Sequence, residues 1–188
     1  MNRSSDIRRN IDGLTIVLFL ALAGLGWVNL VSAATGPDGA VEWGLRTLHG
    51  KQGLWLMVSL LIGFLILQVE GTFFIRTAWL NYGIQLLLCG LVLVIGKKVG
   101  GARSWFGFGG FGIQPSEFAK MGASLALAWY CSKEGGLHQF GQRFRAAVIV
   151  GLPAGLILLQ PDAGTVLVFL GFVFAMYREG LSGAVLIV

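Results

Sequence analysis

Two polar stretches interrupt a largely apolar sequence, and they hold the residues whose chemistry stands out. In GARSWFGFGGFGIQPSEFAK, Arg103 precedes a glycine-rich segment, and Glu117 and Lys120 follow at the start of another apolar run. In LLQPDAGTVLVF, Asp162 follows Pro161. Ionisable residues within membrane-like sequence are functional hypotheses by default, because they are costly there. The arginine could attract an anionic lipid or a phosphorylated substrate, and the other charges could line a polar cavity between helices.

The spacing of Glu117 and Lys120 predicts an ion pair at the start of a helix. Residues three apart share a helix face, and Ser124 continues that face. An unpaired charge at mid-membrane costs about 2.5–3.5 kcal/mol, so pairing near the interface is expected. A purely structural pair stays an open alternative to a functional one.

The second stretch predicts a capped helix start. Pro161 suits a first turn, and Asp162 or Thr165 can satisfy the exposed N–H groups that follow. A tight helix–helix turn with an aspartate cap is the alternative. The predicted topology places both polar stretches on the same, outer side of the membrane.

Glycines dominate the segment between Arg103 and Glu117. Gly100 and Gly101 are expected to end the third span, and the glycines that follow predict a tight, irregular loop able to approach a ligand closely. Trp105 is expected at the level of the lipid headgroups, where simple anchoring competes with ligand contact. The Walker phosphate-loop spacing is missing.

Composition indicates an integral membrane protein. Of 188 residues, 55% are hydrophobic and only 12% are charged, with a mean hydropathy of +0.76, whereas soluble domains have about 25% charged residues. The net charge of +5 reflects scattered loop residues and does not indicate nucleic-acid binding. Cys89 and Cys131 lack metal-ligand or redox spacing, and both are expected to be packing residues.

The apolar runs predict an all-α, multi-pass helical bundle in a single transmembrane domain over residues 1–188. A seventh apolar run begins at Leu181, so the chain is expected to be the N-terminal part of a longer protein. Each bilayer crossing needs about 20 helical residues. The six predicted spans are 14–33, 52–69, 78–96, 116–131, 146–159 and 163–177.

The distribution of lysine and arginine predicts a cytoplasmic N-terminus. This orientation places eight basic residues inside and five outside, with Lys120 within a span. Three of the outer five are Lys97, Lys98 and Arg103, at or just before the glycine-rich segment, which is why that segment invites a functional interpretation.

Three ordered motifs make the sequence resemble the SEDS family (shape, elongation, division and sporulation), to which RodA and FtsW belong. They are Gly101-Ala102-Arg103-Ser104-Trp105, Gln114-Pro115-Ser116-Glu117 with Lys120, and Pro161-Asp162-Ala163-Gly164-Thr165. The resemblance implies about ten helices in the bacterial cytoplasmic membrane. It also implies a peptidoglycan glycosyltransferase that polymerises lipid II at the outer face, for cell elongation and rod shape, with a class B penicillin-binding protein as partner. RodA is favoured over FtsW because nothing in the sequence points to division.

The resemblance also assigns roles to residues. The carboxylate usually proposed as catalytic in the family is expected beyond Val188, so the base is unassigned and this chain alone is expected to be inactive. No metal ligands are predicted, and a divalent cation as cofactor is left open. A flippase for the lipid-linked precursor and a non-catalytic scaffold remain alternatives. Expected substrate-binding residues are Arg103, Trp105, Lys97 and Lys98, and the expected polar cavity comprises Gln114, Ser116, Glu117, Lys120, Gln160, Asp162 and Thr165.

Overall fold

The computed structural model describes residues 12–36, 40–108 and 111–183. Helices dominate, as predicted, and three short strands lie between the third and fourth helices. The helices are α1 (Gly13–Ala33), α2 (Leu48–Leu67), α3 (Gly71–Ile95), α4 (Pro115–Glu134), α5 (Phe140–Leu158), α6 (Ala163–Phe169) and α7 (Gly171–Arg178); the strands are β1 (Lys97–Val99), β2 (Ala102–Phe108) and β3 (Phe111–Ile113).

The six predicted spans correspond to helices. Four of them, α1, α2, α3 and α5, are long and apolar enough to cross a membrane by length and composition. Helix α4 has 20 residues but a more polar composition, and α6 and α7 together form the shorter sixth span. The third helix begins earlier than predicted, at Gly71 instead of residue 78, because Arg76 does not interrupt it. Most of the predicted seventh run lies outside the described residues.

The chain divides into two compact units, Met1–Val69 and Glu70–Val188. In the first unit, Trp27 of α1 donates a hydrogen bond from Nε1 to the carbonyl of His49 in α2, at 2.9 Å. Asp12 caps α1 by accepting from the backbone N–H of Leu14 and the hydroxyl of Thr15. All the candidate site residues lie in the second unit.

The core of the second unit forms where α3, α4 and α5 pack together. Helix α4 buries small residues, among them Ala119, Gly122 and Ala123, and such residues let helix backbones approach closely. A Cβ placed on Gly122 would lie 3.2 Å from Cγ of Gln85 in α3. Tyr82 links α3 to α5 by donating a hydrogen bond to the carbonyl of Ile149, at 2.9 Å.

The described part of the glycine-rich segment folds into a three-stranded antiparallel meander in the order β1-β2-β3, so the prediction of an irregular loop was wrong there. Gly109 and Gly110, on which this prediction also fell, lie outside the described residues. Gly100 and Gly101 do not end the helix, which stops at Ile95. They form the turn between β1 and β2, both with positive φ (59° and 89°). Two-residue hairpin turns favour this conformation, which glycine adopts without a Cβ clash. Pairing between the strands of the meander then provides hydrogen-bond partners for backbone N–H and C=O groups that an irregular loop would leave unpaired.

Candidate functional site

A hydrogen-bonded bridge joins the starts of α4 and α6. Gln114, which precedes α4, donates from Nε2 to Oδ2 of Asp162 at 2.7 Å. Asp162 also accepts from the backbone N–H of Thr165 (3.1 Å) and from its hydroxyl (2.8 Å), so it caps α6 as predicted. The carboxylate therefore receives three donors, which fix two polar stretches that are 48 positions apart in the chain.

Two buried polar residues flank this bridge in sequence. Ser116 and Gln160 are both fully buried, and Gln160 donates from Nε2 to the carbonyl of Cys89 in α3 at 3.1 Å. The hydroxyl of Ser116 and Oε1 of Gln160 have no hydrogen-bond partner within the described residues. Gln160 thus ties the end of α5 to the last third of α3, while Ser116 and Gln160 each keep unused hydrogen-bonding capacity in the interior.

The predicted pair of Glu117 and Lys120 is present in the first turns of α4. Nζ of Lys120 lies 2.8 Å and 2.9 Å from the two carboxylate oxygens. The glutamate side chain is 54% exposed and the lysine side chain 25% exposed, so the pair lies on an open face of the helix. Ser124 continues this face, as predicted, and its hydroxyl donates to the carbonyl of Lys120.

The same face leads into a groove between α4 and α7. The groove has a volume of about 410 Å³ and is lined by Ser124, Cys131 and Ala128 from α4 and by Phe172 and Ala175 from α7. Glu117, Lys120 and Ser124 therefore lie along one side of α4 that leads into this groove.

Arg103 lies in β2 and reaches the end of α3. Its Nη1 donates to the carbonyls of Leu93 and Val94, at 3.2 Å each. Carbonyls of the last helical turn lack intrahelical donors and carry the negative end of the helix dipole, so a guanidinium stabilises them. The side chain expected to meet a substrate phosphate thus fastens the meander to α3 in this structure.

A register irregularity interrupts the alternation of side chains along β2, because one extra residue lies between the partners of Lys97 and Lys98. Ser104, at this irregularity, is only 2% exposed. Lys97 pairs with Trp105 in the sheet register and Lys98 with Arg103, and both lysines are exposed. The indole lies over Gly112, where an added Cβ would be 2.8 Å from Cε3.

The structure therefore divides the predicted site residues into three groups: the bridge, the α4 ion pair and the meander cations. Sequence reasoning did not find the contacts Gln114–Asp162, Gln160–Cys89 and Tyr82–Ile149. A polar side chain within an apolar run signals that a partner exists, but no sequence spacing identifies a partner on another helix. Cys89 and Cys131 are free and buried, which confirms their assignment as packing residues.

The described part of the chain contains no preformed set of metal ligands. No group of three or more histidine, cysteine, aspartate and glutamate side chains is arranged there to hold an ion.

These features define a multi-pass helical membrane protein with polar groups gathered where α3 ends and α4 and α6 begin. Residues 13–188 match the FtsW/RodA/SpoVE family model, described as cell cycle protein. The chain belongs to this family, and the resemblance drawn from the three motifs is confirmed.

Named relatives agree with the family. The chain is 33% identical over 168 residues to the peptidoglycan glycosyltransferase RodA of Treponema pallidum, covering 89% of this chain and 38% of that protein. It is 35% identical over 158 residues to the probable peptidoglycan glycosyltransferase FtsW of Mycobacterium tuberculosis, covering 80% and 30% respectively. The chain thus spans well under half the length of these two relatives.

Solved structures show the same fold. The rod shape determining protein RodA of Thermus thermophilus matches with a TM-score of 0.80 and 36% identity, over 92% of this chain and 55% of that one. A structure described as coordinating polymerization and crosslinking in a peptidoglycan synthase complex matches with a TM-score of 0.81 and 36% identity, over 95% and 50%. Both RodA and FtsW proteins are among the relatives, so the comparisons do not separate the two branches.

Proposed function

We propose that this chain forms part of a peptidoglycan glycosyltransferase that polymerises lipid II at the outer face of the bacterial cytoplasmic membrane. The supporting observation is the bridge from Gln114 to Asp162, which joins two of the three family motifs at one end of the second unit. That end also carries the meander with its cations. Polar groups, a membrane-spanning scaffold and family membership together favour chemistry on a lipid-linked, phosphate-containing substrate.

The meander cations are proposed to receive the pyrophosphate of the substrate. Lys97 and Lys98 are exposed, whereas Arg103 is already engaged through Nη1 with the end of α3. The lysines can therefore move towards a phosphate, while the arginine holds the strand that carries Trp105. Cationic groups near a departing pyrophosphate stabilise the charge that develops in the transition state. Trp105 is proposed to pack on a sugar face or on the lipid neck.

The general base is proposed to come from outside this chain. Both oxygens of Asp162 accept hydrogen bonds from Gln114 or Thr165, which gives this carboxylate a structural role at the start of α6. Glu117 is paired through both oxygens with Lys120. These carboxylates are better suited to shape a polar surface than to perform general-base catalysis, which requires contact with the reacting group.

A class B penicillin-binding protein is the proposed partner, and rod-shape elongation the proposed setting. The solved structure described as a peptidoglycan synthase complex, which resembles this chain, supports such a partnership. The proposed orientation has a cytoplasmic N-terminus, which puts the meander on the side where peptidoglycan is assembled.

Polymerisation of labelled lipid II tests the proposal. The protein is purified as the full-length polypeptide with its penicillin-binding partner, and products are separated by size. Glycan strands are expected, and Lys97→Gln with Lys98→Gln should reduce the rate while Arg46→Gln, which removes another predicted outer cation, should not. Movement of lipid II between leaflets without polymer would instead identify a flippase. Neither polymer nor leaflet exchange, with partner binding retained, would identify a scaffold.

A further inference from the structure

A second groove lies at the opposite end of the second unit, away from the meander. It has a volume of about 720 Å³ and is formed where α3 begins, α4 ends and α5 begins. Trp79 and Trp129 form its aromatic wall with ring centroids 5.7 Å apart, in an edge-to-face arrangement. Val148 and Leu152 of α5 line its apolar part and are 39% and 51% exposed.

Two cations stand at one end of this groove. Nζ of Lys133 lies 5.9 Å from the centre of the Trp129 ring, and within the described residues Lys133 forms no salt bridge. Nη1 of Arg145 lies 3.6 Å from Oε1 of Glu134, a long contact, and the arginine side chain is 66% exposed. Glu134 also accepts from Gln142, so its charge is shared between partners. One ammonium and most of one guanidinium therefore remain available to an anion.

The cations and the apolar surface follow one another along the helix. From Arg145 to Leu152 the axis advances about 10 Å, at about 1.5 Å per residue. A ligand that fills the groove must carry a negative charge at one end and hydrocarbon over roughly this distance. Phosphate suits the guanidinium, and aromatic rings with aliphatic side chains suit acyl chains.

We propose that this groove binds one anionic glycerophospholipid, with its phosphate between Lys133 and Arg145 and an acyl chain along Val148 and Leu152. The proposal depends on the chain spanning a membrane and is independent of glycosyl transfer. Under the predicted topology, the Lys133 end faces the cytoplasm, and the lipid belongs to the inner leaflet. Basic pockets between membrane helices on this side are suited to anionic headgroups. The lipid would fill the space between α3, α4 and α5.

Lipid retention measured by native mass spectrometry tests the proposal. The protein is released from membranes containing equal amounts of phosphatidylglycerol and phosphatidylcholine with matched acyl chains. One retained phosphatidylglycerol is expected per chain, in preference to phosphatidylcholine. Lys133→Gln and Arg145→Gln should each weaken retention about fivefold, the factor that corresponds to about 1 kcal/mol per cation. Val148→Trp, which fills the apolar part without altering charge, should also displace the lipid.

Arg178→Gln is the matched control, because it removes a cation from α7 at the same end without touching this groove. An equal loss of phosphatidylglycerol retention in this control would show that retention depends only on general surface charge, and would overturn the proposal. Equal retention of phosphatidylcholine, or displacement by soluble glycerol phosphate, would also overturn it. A crosslink between two copies carrying Val148→Cys, without lipid retention, would assign the groove to a second chain. The comparison of the two lipids needs only the unaltered protein, so it stays valid if a variant misfolds.

Discussion

Single side chains at the meander end join distant parts of the second unit. Asp162 links α6 to the residue that precedes α4, Gln160 links α5 to α3, and Arg103 links β2 to α3. Each uses a hydrogen bond to satisfy a helix terminus or a backbone carbonyl, and the bond from Gln160 is fully buried. Polar residues in a membrane protein thus serve structure as well as chemistry, and mutations can distinguish the two roles.

Removing the carboxylate of Asp162 tests the bridge. Asp162→Ala removes the cap of α6 and the bond from Gln114, and we expect a loss of about 2 kcal/mol in stability. The measurement is the melting temperature of the detergent-solubilised chain. Asp12→Ala is the matched control, because the recorded partners of Asp12, Leu14 and Thr15, both belong to the helix that it caps. That control should cost about 1 kcal/mol, and equal losses would show that the bridge adds nothing.

Separating the pair of Glu117 and Lys120 tests its role. Because the pair is partly exposed in this chain, Glu117→Gln or Lys120→Met should change its stability by less than about 1 kcal/mol. In the full-length protein, the same changes are expected to reduce the proposed polymerisation of lipid II severely if the pair lines the proposed polar cavity, where a charge without its partner is costly.

The charge-swapped protein, Glu117→Lys with Lys120→Glu, is the control for this experiment. Partial recovery of polymerisation would show that the two residues act only through their ion pair. No recovery would show that one of the two charges has a direct role. Normal polymerisation by both single variants would show that the pair is incidental.

Elements pack closely in the second unit because α4 presents small residues to α3. The meander is held at one end of these helices by Arg103, and the aromatic groove lies at the other end. Helix packing thus separates a polar surface from an apolar groove with basic residues. Tight contact between α3 and α4 is needed for the polar surface and for the groove, because both helices contribute residues to each of these two features.

Enlarging Gly122 tests this contact. Gly122→Leu would place a side chain against Gln85 and Asn81, and we expect overpacking to cost about 1–3 kcal/mol. Gly83→Leu is the control, because a Cβ at Gly83 meets no atom within 4 Å. A lower melting temperature for the first variant alone is expected. Equal melting temperatures would mean that α3 and α4 can move apart without loss.

The chain belongs to a family of multi-pass membrane proteins, and the two ends of its second unit differ in chemistry. The proposed function requires the meander on the outer side, and the proposed lipid groove then faces the cytoplasm. Both proposals therefore depend on the same topology, which the basic-residue distribution predicts.

Cysteine labelling in intact cells tests the topology. Lys98→Cys should react with an impermeant reagent from outside, because Lys98 is exposed in β1. Gly141→Cys, at an exposed position with no atom within 4 Å of an added Cβ, should react only after the membrane is permeabilised. Cys89 and Cys131 are buried and should contribute little background. The reverse pattern would contradict both the orientation and the assignment of the meander to the substrate side.

Much of this protein follows from local sequence. Apolar runs of bilayer length predicted the helices, the spacing of Glu117 and Lys120 predicted their ion pair, and the position of Asp162 predicted a helix cap. These features depend on residues within about one helical turn or on the hydrophobicity of a continuous segment, so neighbouring residues suffice to determine them.

Tertiary structure decided the rest, because it depends on residues far apart in the chain. The glycine-rich segment forms a meander because three strands satisfy each other's backbone groups, and no single strand reveals its partners. Arg103 meets the end of α3 because β2 runs back beside that helix, and Gln114 meets Asp162 because α4 and α6 begin at the same end. The lipid groove arises only when α3, α4 and α5 are packed together.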